Sequence, residues 1–304
     1  MRHSGLLLVV AILTASGVIS YVAAGVSPCQ LCLYGPDNMT FDAAGNIYLV
    51  DTDQKTRSRV MKLSPQGKEL AEWHVFAVVP GRQNGPAGIT IDRDGSILVT
   101  DAGSGRVLRL TPEGKLLAPL PETFHHLDQG HVAVDGDGRI YVAEAEADLI
   151  QKFSSTGKRL ASWHHGKGHG PDQWDHPEAI SVAPDGNLVV NEWGNHRVDI
   201  LSPSGQMVRQ FDATKNVPLK FASISGSCVD HEGNIYVADY QLYRVQEFGS
   251  HGRLLATIGN TPGNILFERA PYSLACGNDG NLYSADGLSI VKYSRDGELL
   301  ARWR

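Results

Sequence analysis

A chain of 304 residues with 42% hydrophobic residues is long enough to bury a large core. Its formal net charge of −6 does not offer the basic face that phosphate contacts require, which excludes nucleic acid as the main partner.

In chain order, the first feature is apolar. Residues 5–26 carry no charge and follow Arg2 and His3. This run exceeds the signal-peptide core of about 7–15 residues and is long enough to span a bilayer. Residues 1–27 are therefore expected to form one N-terminal hydrophobic helix, a transmembrane anchor or a signal peptide. Arg2 on the short side, with no charge afterwards until Asp37, points the N-terminus into the cytoplasm and the rest of the chain outward. In a bacterium the expected location is the inner membrane, with the domain on the periplasmic side. Val22-Ala23-Ala24 also offers a cleavage site, which would leave a soluble periplasmic domain.

Residues 28–35 are a short linker carrying Cys29 and Cys32 in the run SPCQLCLY. Export permits a disulfide, and a local structural one is expected, with an unpaired pair as the alternative. The segment is similar to the reactive stretch of membrane thiol oxidases, over six or seven residues only. Leu33 stands where a haem attachment would need histidine.

From Pro36 onward the chain repeats. Six copies of one fourteen-residue pattern, among them GITIDRDGSILVTD at 88–101 and GSCVDHEGNIYVAD at 226–239, place glycines at 45, 95, 138, 186, 233 and 280. Spacings of 50, 43, 48, 47 and 47 residues mean a repeat architecture. Period-two alternation on both sides of each glycine predicts a β-hairpin closed by a two-residue turn, and a second hairpin follows, as in RVLRLTPEGKLLAPL at 106–120. Four antiparallel strands per repeat give an all-β, six-bladed β-propeller over residues 36–304. Five residues before each glycine stand Thr40, Thr90, Ala133, Ser181, Cys228 and Ala275, small residues expected to face the crowded axis. Cys228 and Cys276 are read as core fillers.

Copy four, GKGHGPDQWDHPEAISVAPDGNLVVNEWGNHRVDILSPSGQMVRQF at 166–211, resembles the NHL repeats, a propeller-forming family. The resemblance rests on Trp174 and Pro177 before the inner strand and on Asn195-His196-Arg197 before the third; copies three and six have Leu149 and Ser289 instead of that arginine. It implies a protein-binding or RNA-binding scaffold, or a lyase cleaving peptidyl-hydroxyglycine at a bound metal. In that lyase, histidines follow the proline that opens several inner strands. The matching residues here are Asp37, Ala87, Gly130, Glu178, Ser225 and Tyr272, so that histidine triad is missing.

The long loops, 74–87, 164–177, 212–224 and 260–271, fall on the face where inner strands begin, and loops of that length carry function. This face is expected to look toward the membrane. His74, Val75, Phe76, Val78 and Val79 form an apolar run outside the repeat frame and are the candidate partner-binding residues. Trp174, Phe221 and Phe267 are expected in the core. The acids Asp51, Asp101, Glu144, Glu192, Asp239 and Asp286, one per repeat, are expected to accept backbone N–H groups of the loop that follows. The loop histidines, including His125, His126, His164, His165, His169 and His176, lack metal-site spacing and are read as solvated.

Asp37, Asn38, His131, Glu178 and Tyr272 are expected at the mouth of the axial channel. Asp37 and Glu178, in opposite blades, with His131, are the candidate ligands of a divalent cation, calcium or zinc. Two functions follow. The first is a non-enzymatic, membrane-anchored scaffold, an accessory or stabilising subunit docked on a membrane protein complex, for which no small-molecule substrate is expected. The alternative is a metal-dependent lyase or lactone hydrolase working at the axial mouth. No catalytic residue is identified.

Overall fold

The computed structural model describes residues 9–13, 19–23, 31–53, 57–76, 85–125, 127, 130–212, 221–259, 267 and 270–304. Six antiparallel sheets follow one another along the chain, each with its strands in sequence order. Blade one is Pro36–Phe41, Ile47–Thr52, Ser58–Leu63 and Glu69–Trp73. Blades three to six repeat that four-stranded order, ending at Leu299–Trp303. Blade two has three strands, Pro86–Ile91, Ile97–Asp101 and Arg106–Leu110. Its fourth position is held by the Leu110–Leu116 bridge, with Leu117 N–H on Arg109 O at 2.8 Å and Leu120 N–H on Val107 O at 3.0 Å. Pro119 and Pro121 withdraw amide donors where a continuous ladder would run.

The chain before the propeller departs from expectation. Val9–Leu13 and Ile19–Ala23 pair as antiparallel strands instead of forming the expected helix. No helix among the described residues is long and apolar enough to cross a membrane. Cys32 is disulfide-bonded; Cys29, its expected partner, lies outside the described residues.

The first hairpin of each blade turns through three residues, one more than the pattern suggests. In blade one Asp42 N–H bonds Asn46 O at 3.1 Å and Gly45 N–H bonds Asp42 O at 2.9 Å, with Gly45 at φ 78°. That is a type I turn closed by a left-handed residue. The Asp42 carboxylate fixes it by accepting the amides of Ala44 and Asn46 at 3.0 and 2.9 Å.

Burial follows the seams between blades. Tyr48, Val50 and Val60 of blade one pack with Ile89, Ile97 and Val99 of blade two, and an equivalent cluster fills every later junction. Met39, Leu49 and Met61 close the ring against Tyr283, Ile290 and Trp303 of blade six. Trp174, Phe221 and Phe267 are buried in these seams, as expected. Cys228 and Cys276 are more than fillers: a disulfide joins them beside the channel, with Cα atoms 5.6 Å apart, tying the inner strands of blades five and six.

Neighbouring blades also interlock at their outer edge. The turn glycine of each second hairpin lies against a bulky side chain ending the previous blade. A Cβ on Gly67 would sit 2.1 Å from Trp303 Nε1, on Gly114 2.0 Å from Trp73 Nε1, and on Gly205 2.3 Å from the Trp163 ring. Phe211 meets Gly252 and Ile258 meets Gly297 in the same way. At the irregular edge of blade two, Pro121 takes this role against Gly157.

Gly67→Ala should therefore cost about 2–4 kcal/mol, combining a left-handed backbone at φ 76° with overpacking against Trp303. Gly45→Ala, whose Cβ would meet Pro65 Cγ at an ordinary 3.6 Å, should cost only about 1 kcal/mol. Urea unfolding of both variants checks this; equal losses would mean that the blade interlock contributes nothing.

Candidate functional site at the axial mouth

The axial channel is lined by all six inner strands, with Thr40, Thr90, Ala133, Ser181, Cys228 and Ala275 facing it as expected. The void inside measures about 230 Å³. Just above it, inner strands break register with their neighbours. Pairing skips from Pro36 to Met39 in blade one, from Pro86 to Ile89 in blade two, from Pro177 to Ala179 in blade four and from Ile224 to Ser227 in blade five. Such bulges re-aim the extra residue. Asp37 and Glu178 occupy them.

The two acids meet electrostatically across the axis. Burial pushes Asp37 up to about 7. Burial first, then the charge of Asp37, pushes Glu178 up to about 8. Among the described residues no hydrogen-bond donor stabilises either carboxylate, so desolvation acts unopposed. Tyr272 belongs to the same group: burial and then both acids hold its phenol above its ordinary value, so it stays protonated.

His131 does not join them. Asn38 Nδ2 donates to His131 Nδ1 at 3.1 Å, both residues line the channel, and burial lowers the imidazole to about 4, which leaves it neutral and able to accept. Asp37, Glu178 and His131 do not bring three ligand atoms within 4.8 Å of one another; among the described residues the set that does is Asp148, Asp175 and His176. The nitrogen-containing zinc set therefore does not fit. The two carboxylates supply oxygen ligands, but only part of the six to eight that calcium takes. The Asp148 cluster is internally satisfied: Asp148 accepts His176 N–H at 2.8 Å, Asp175 lies 2.8 Å from His176 Nδ1, and Lys167 is 3.6 Å from Asp175.

The acid of each repeat is structural, as expected, but its donors differ from those anticipated. Asp51 accepts Tyr34 and Gly35 amides at 2.8 Å each, and Asp239 those of Ala222 and Ser223 at 3.1 and 3.2 Å, all in the lead-in before the inner strand. Asp101 takes a backbone amide from the loop after it, that of Gly103 at 3.2 Å, and Glu192 the side-chain amide of Asn195. Third-strand arginines complete the set: Arg59 on Asp51 at 2.8 Å, Arg197 on Glu192 at 3.2 Å and Arg244 on Asp239 at 3.0 Å. Copies three and six, which lack that arginine, substitute Gln151 on Glu144 at 2.6 Å and Arg302 on Asp286 at 3.0 Å.

Of the expected docking residues, His74 is exposed beside Glu72 at 3.5 Å, whereas Val75 and Phe76 pack against the seam between blades one and two. Val78 and Val79 lie outside the described residues.

Comparison with known proteins bears on function. The pattern of the SMP-30/Gluconolactonase/LRE-like region family matches residues 35–125. A peptidyl-glycine alpha-amidating monooxygenase B of Xenopus laevis is 28% identical over 222 residues, covering 66% of this chain and 25% of that protein. The chain thus spans about a quarter of the length of that relative. A probable peptidyl-alpha-hydroxyglycine alpha-amidating lyase of Caenorhabditis elegans is 23% identical over 60% of each chain. The solved streptogramin B lyase superposes with a TM-score of 0.63 at 16% identity, over 90% of this chain and 84% of its own, which shows the fold. These likenesses and the NHL resemblance agree on a six-bladed propeller. They overturn the non-enzymatic scaffold: the named relatives are enzymes, and the apolar loop that suggested docking is partly built into a seam.

Both acids bind their protons more tightly in the fold than at their ordinary values of 3.8 and 4.5. The native state then carries more protons than the unfolded chain from about pH 4 to about pH 8, and stability falls as pH rises through that window. In chelator, Asp37→Asn and Glu178→Gln should each gain roughly 1–3 kcal/mol at about pH 9 and nothing near pH 4. Thermal melts across pH read this directly; wild-type curves at both ends would refute the burial of an unpaired acid pair.

Proposed function

We propose that the protein is an enzyme, a lyase or lactone hydrolase, whose acid–base pair is Asp37 and Glu178 at the mouth of the axial channel. The carrying observation is that two desolvated carboxylates share one site, with values raised to about 7 and about 8. Near neutral pH such a pair holds one proton between them and titrates as a unit. It can therefore give and take a proton in the same turnover. In a lactone hydrolysis the ionised carboxylate takes a proton from the attacking water as its oxygen bonds the carbonyl carbon. The protonated acid then delivers its proton to the alkoxide oxygen as the ring C–O bond breaks. In an elimination from a depsipeptide the base takes the proton from the carbon adjacent to the one whose C–O bond breaks, a C=C bond forms, and the acid protonates the departing oxygen. With a peptidyl-alpha-hydroxyglycine the base takes the hydroxyl proton as the C=O bond forms and the C–N bond breaks, and the acid protonates the departing nitrogen. The protonated Tyr272 phenol is a donor beside both acids, suited to the oxygen on which negative charge develops.

The test is turnover against a lactone, a streptogramin-type depsipeptide and a peptidyl-alpha-hydroxyglycine, with wild type, Asp37→Asn and Glu178→Gln. We expect a rate maximum between about pH 7 and about pH 8 and a loss of about 10²–10⁴-fold in either variant. Turnover that survives both substitutions, or none with any substrate, would sink the reading.

The uncharged run at 5–26 and the Cys228–Cys276 disulfide both favour an exported protein. A fusion of the propeller to a reporter active only outside the cytoplasm should light up; a silent fusion would place the domain inside.

A further inference from the structure

The acid pair is flanked by an aromatic wall. A cavity of about 450 Å³ opens beside Asp37, and Tyr240, Tyr243 and Tyr272 line it. These residues are 44%, 42% and 37% exposed, so none of the three is packed away in the core. Tyr240 and Tyr272 stand at 86° with centroids 6.1 Å apart, two walls of a corner.

Backbone bonds fix the corner. Tyr240 N–H bonds Ser223 O at 2.8 Å and Tyr272 N–H bonds Ala285 O at 3.0 Å. Tyr243 caps the short 3₁₀ turn Tyr240–Leu242 in a left-handed conformation at φ 50°. Such a backbone is strained for a tyrosine and is sustained by the surrounding structure.

The charge is one-sided. Among the described residues that line the cavity, the charged ones are Asp37 and Asp286, and Asp286 is already paired with Arg302 at 3.0 Å. Among the described residues, no lysine, arginine or histidine lines it. Exposed aromatic faces beside an unpaired carboxylate attract positive charge. A small hard cation prefers oxygen ligands and retained water over ring faces. A large, weakly hydrated organic cation gains from the rings and from Asp37 together.

We propose that Tyr240, Tyr243 and Tyr272 form, with Asp37, a cage for an organic ammonium group, so that the substrate carries an alkylated amine. This substrate class rests on the axial mouth being the active site; the cage itself is tested by binding alone. Choline and its neutral isostere 3,3-dimethylbutan-1-ol should be titrated calorimetrically into the full protein in chelator, with tetramethylammonium as competitor. Choline should bind about tenfold or more tighter than the neutral isostere, and tetramethylammonium should displace it. Tyr272→Leu and Asp37→Asn should each lose about tenfold, while Tyr272→Phe, which keeps the ring face, should stay within about twofold and shows that the fold is intact.

Equal affinity for choline and its isostere would reduce the cavity to an apolar pocket and overturn the proposal. So would calcium or magnesium binding, in chelator-free buffer, without any binding of tetramethylammonium. Turnover of neutral substrates without ammonium binding would defeat the cage alone. Ammonium binding without turnover would leave the cage standing and defeat the catalytic reading.

Discussion

The ring holds because each blade lends a bulky side chain to the next. Every outer turn glycine is a place where no side chain fits, and the edge residue of the preceding blade fills that space. Trp303 against Gly67 is the closing contact, joining the last strand of the chain to the first blade. Among the described strands, none is shared between blade six and blade one. Closure therefore depends on packing at the seam, on Asn278 reaching the Asp42 carbonyl at 2.8 Å, and on Leu31 N–H meeting Arg304 O at 2.7 Å. A ring closed in this way fixes the spacing of its six inner strands, and the axial geometry inherits that precision.

The proposed acid–base site comes from a defect in the same regular frame. An ideal inner strand would alternate its residues between axis and seam. The bulge at the start of the inner strand, after a proline in blades one, two and four and after Ile224 in blade five, frees residues from that alternation. In blade two the residue after the proline is followed by Gly88, whose added Cβ would lie 2.8 Å from the His131 backbone. The inner strands of adjacent blades are that close near the axis. Larger groups are carried where the sequence places Asp37, Glu178 and Tyr272, and desolvation by the surrounding strands gives the two acids their raised values.

The fold was legible because its information is repeated. Six glycines at near-constant spacing outweigh the weakness of any one hairpin signal, so the blade count and the small residues at the axis follow from the sequence. Features occurring once were harder to read. Two prolines spoil the fourth strand of blade two. The Cys228–Cys276 bond was indicated only by two cysteines standing five and four residues before successive repeat glycines. The role of Arg302 on Asp286 is invisible locally, because a fourth-strand arginine replaces a third-strand one and pairing across sixteen residues leaves no pattern. His131 faces the channel, where Asn38 rather than Asp37 or Glu178 is its hydrogen-bond partner, and a strand's side-chain period alone does not reveal such a partner across blades.

Symmetry itself separates structure from function in this chain. Where all six repeats need the same thing, they converge: an acid after the second strand, a small residue at the axis, a glycine at the turn. At the position that follows an opening proline in four of the repeats they diverge completely, reading Asp37, Ala87, Gly130, Glu178, Ser225 and Tyr272. A position that served only the ring would not accept an acid, a glycine and a tyrosine in equivalent places, because each has different packing and solvation needs. Tyr240 and Tyr243 break the pattern similarly, in a turn after the second strand where blade three carries Ala145 and Asp148. The unpaired acids lower stability above their ordinary titration range, and three half-open tyrosines forgo burial. Residues that cost the fold something, gathered at one end of one channel, are what a binding and reacting site looks like in a scaffold whose other positions are optimised by repetition.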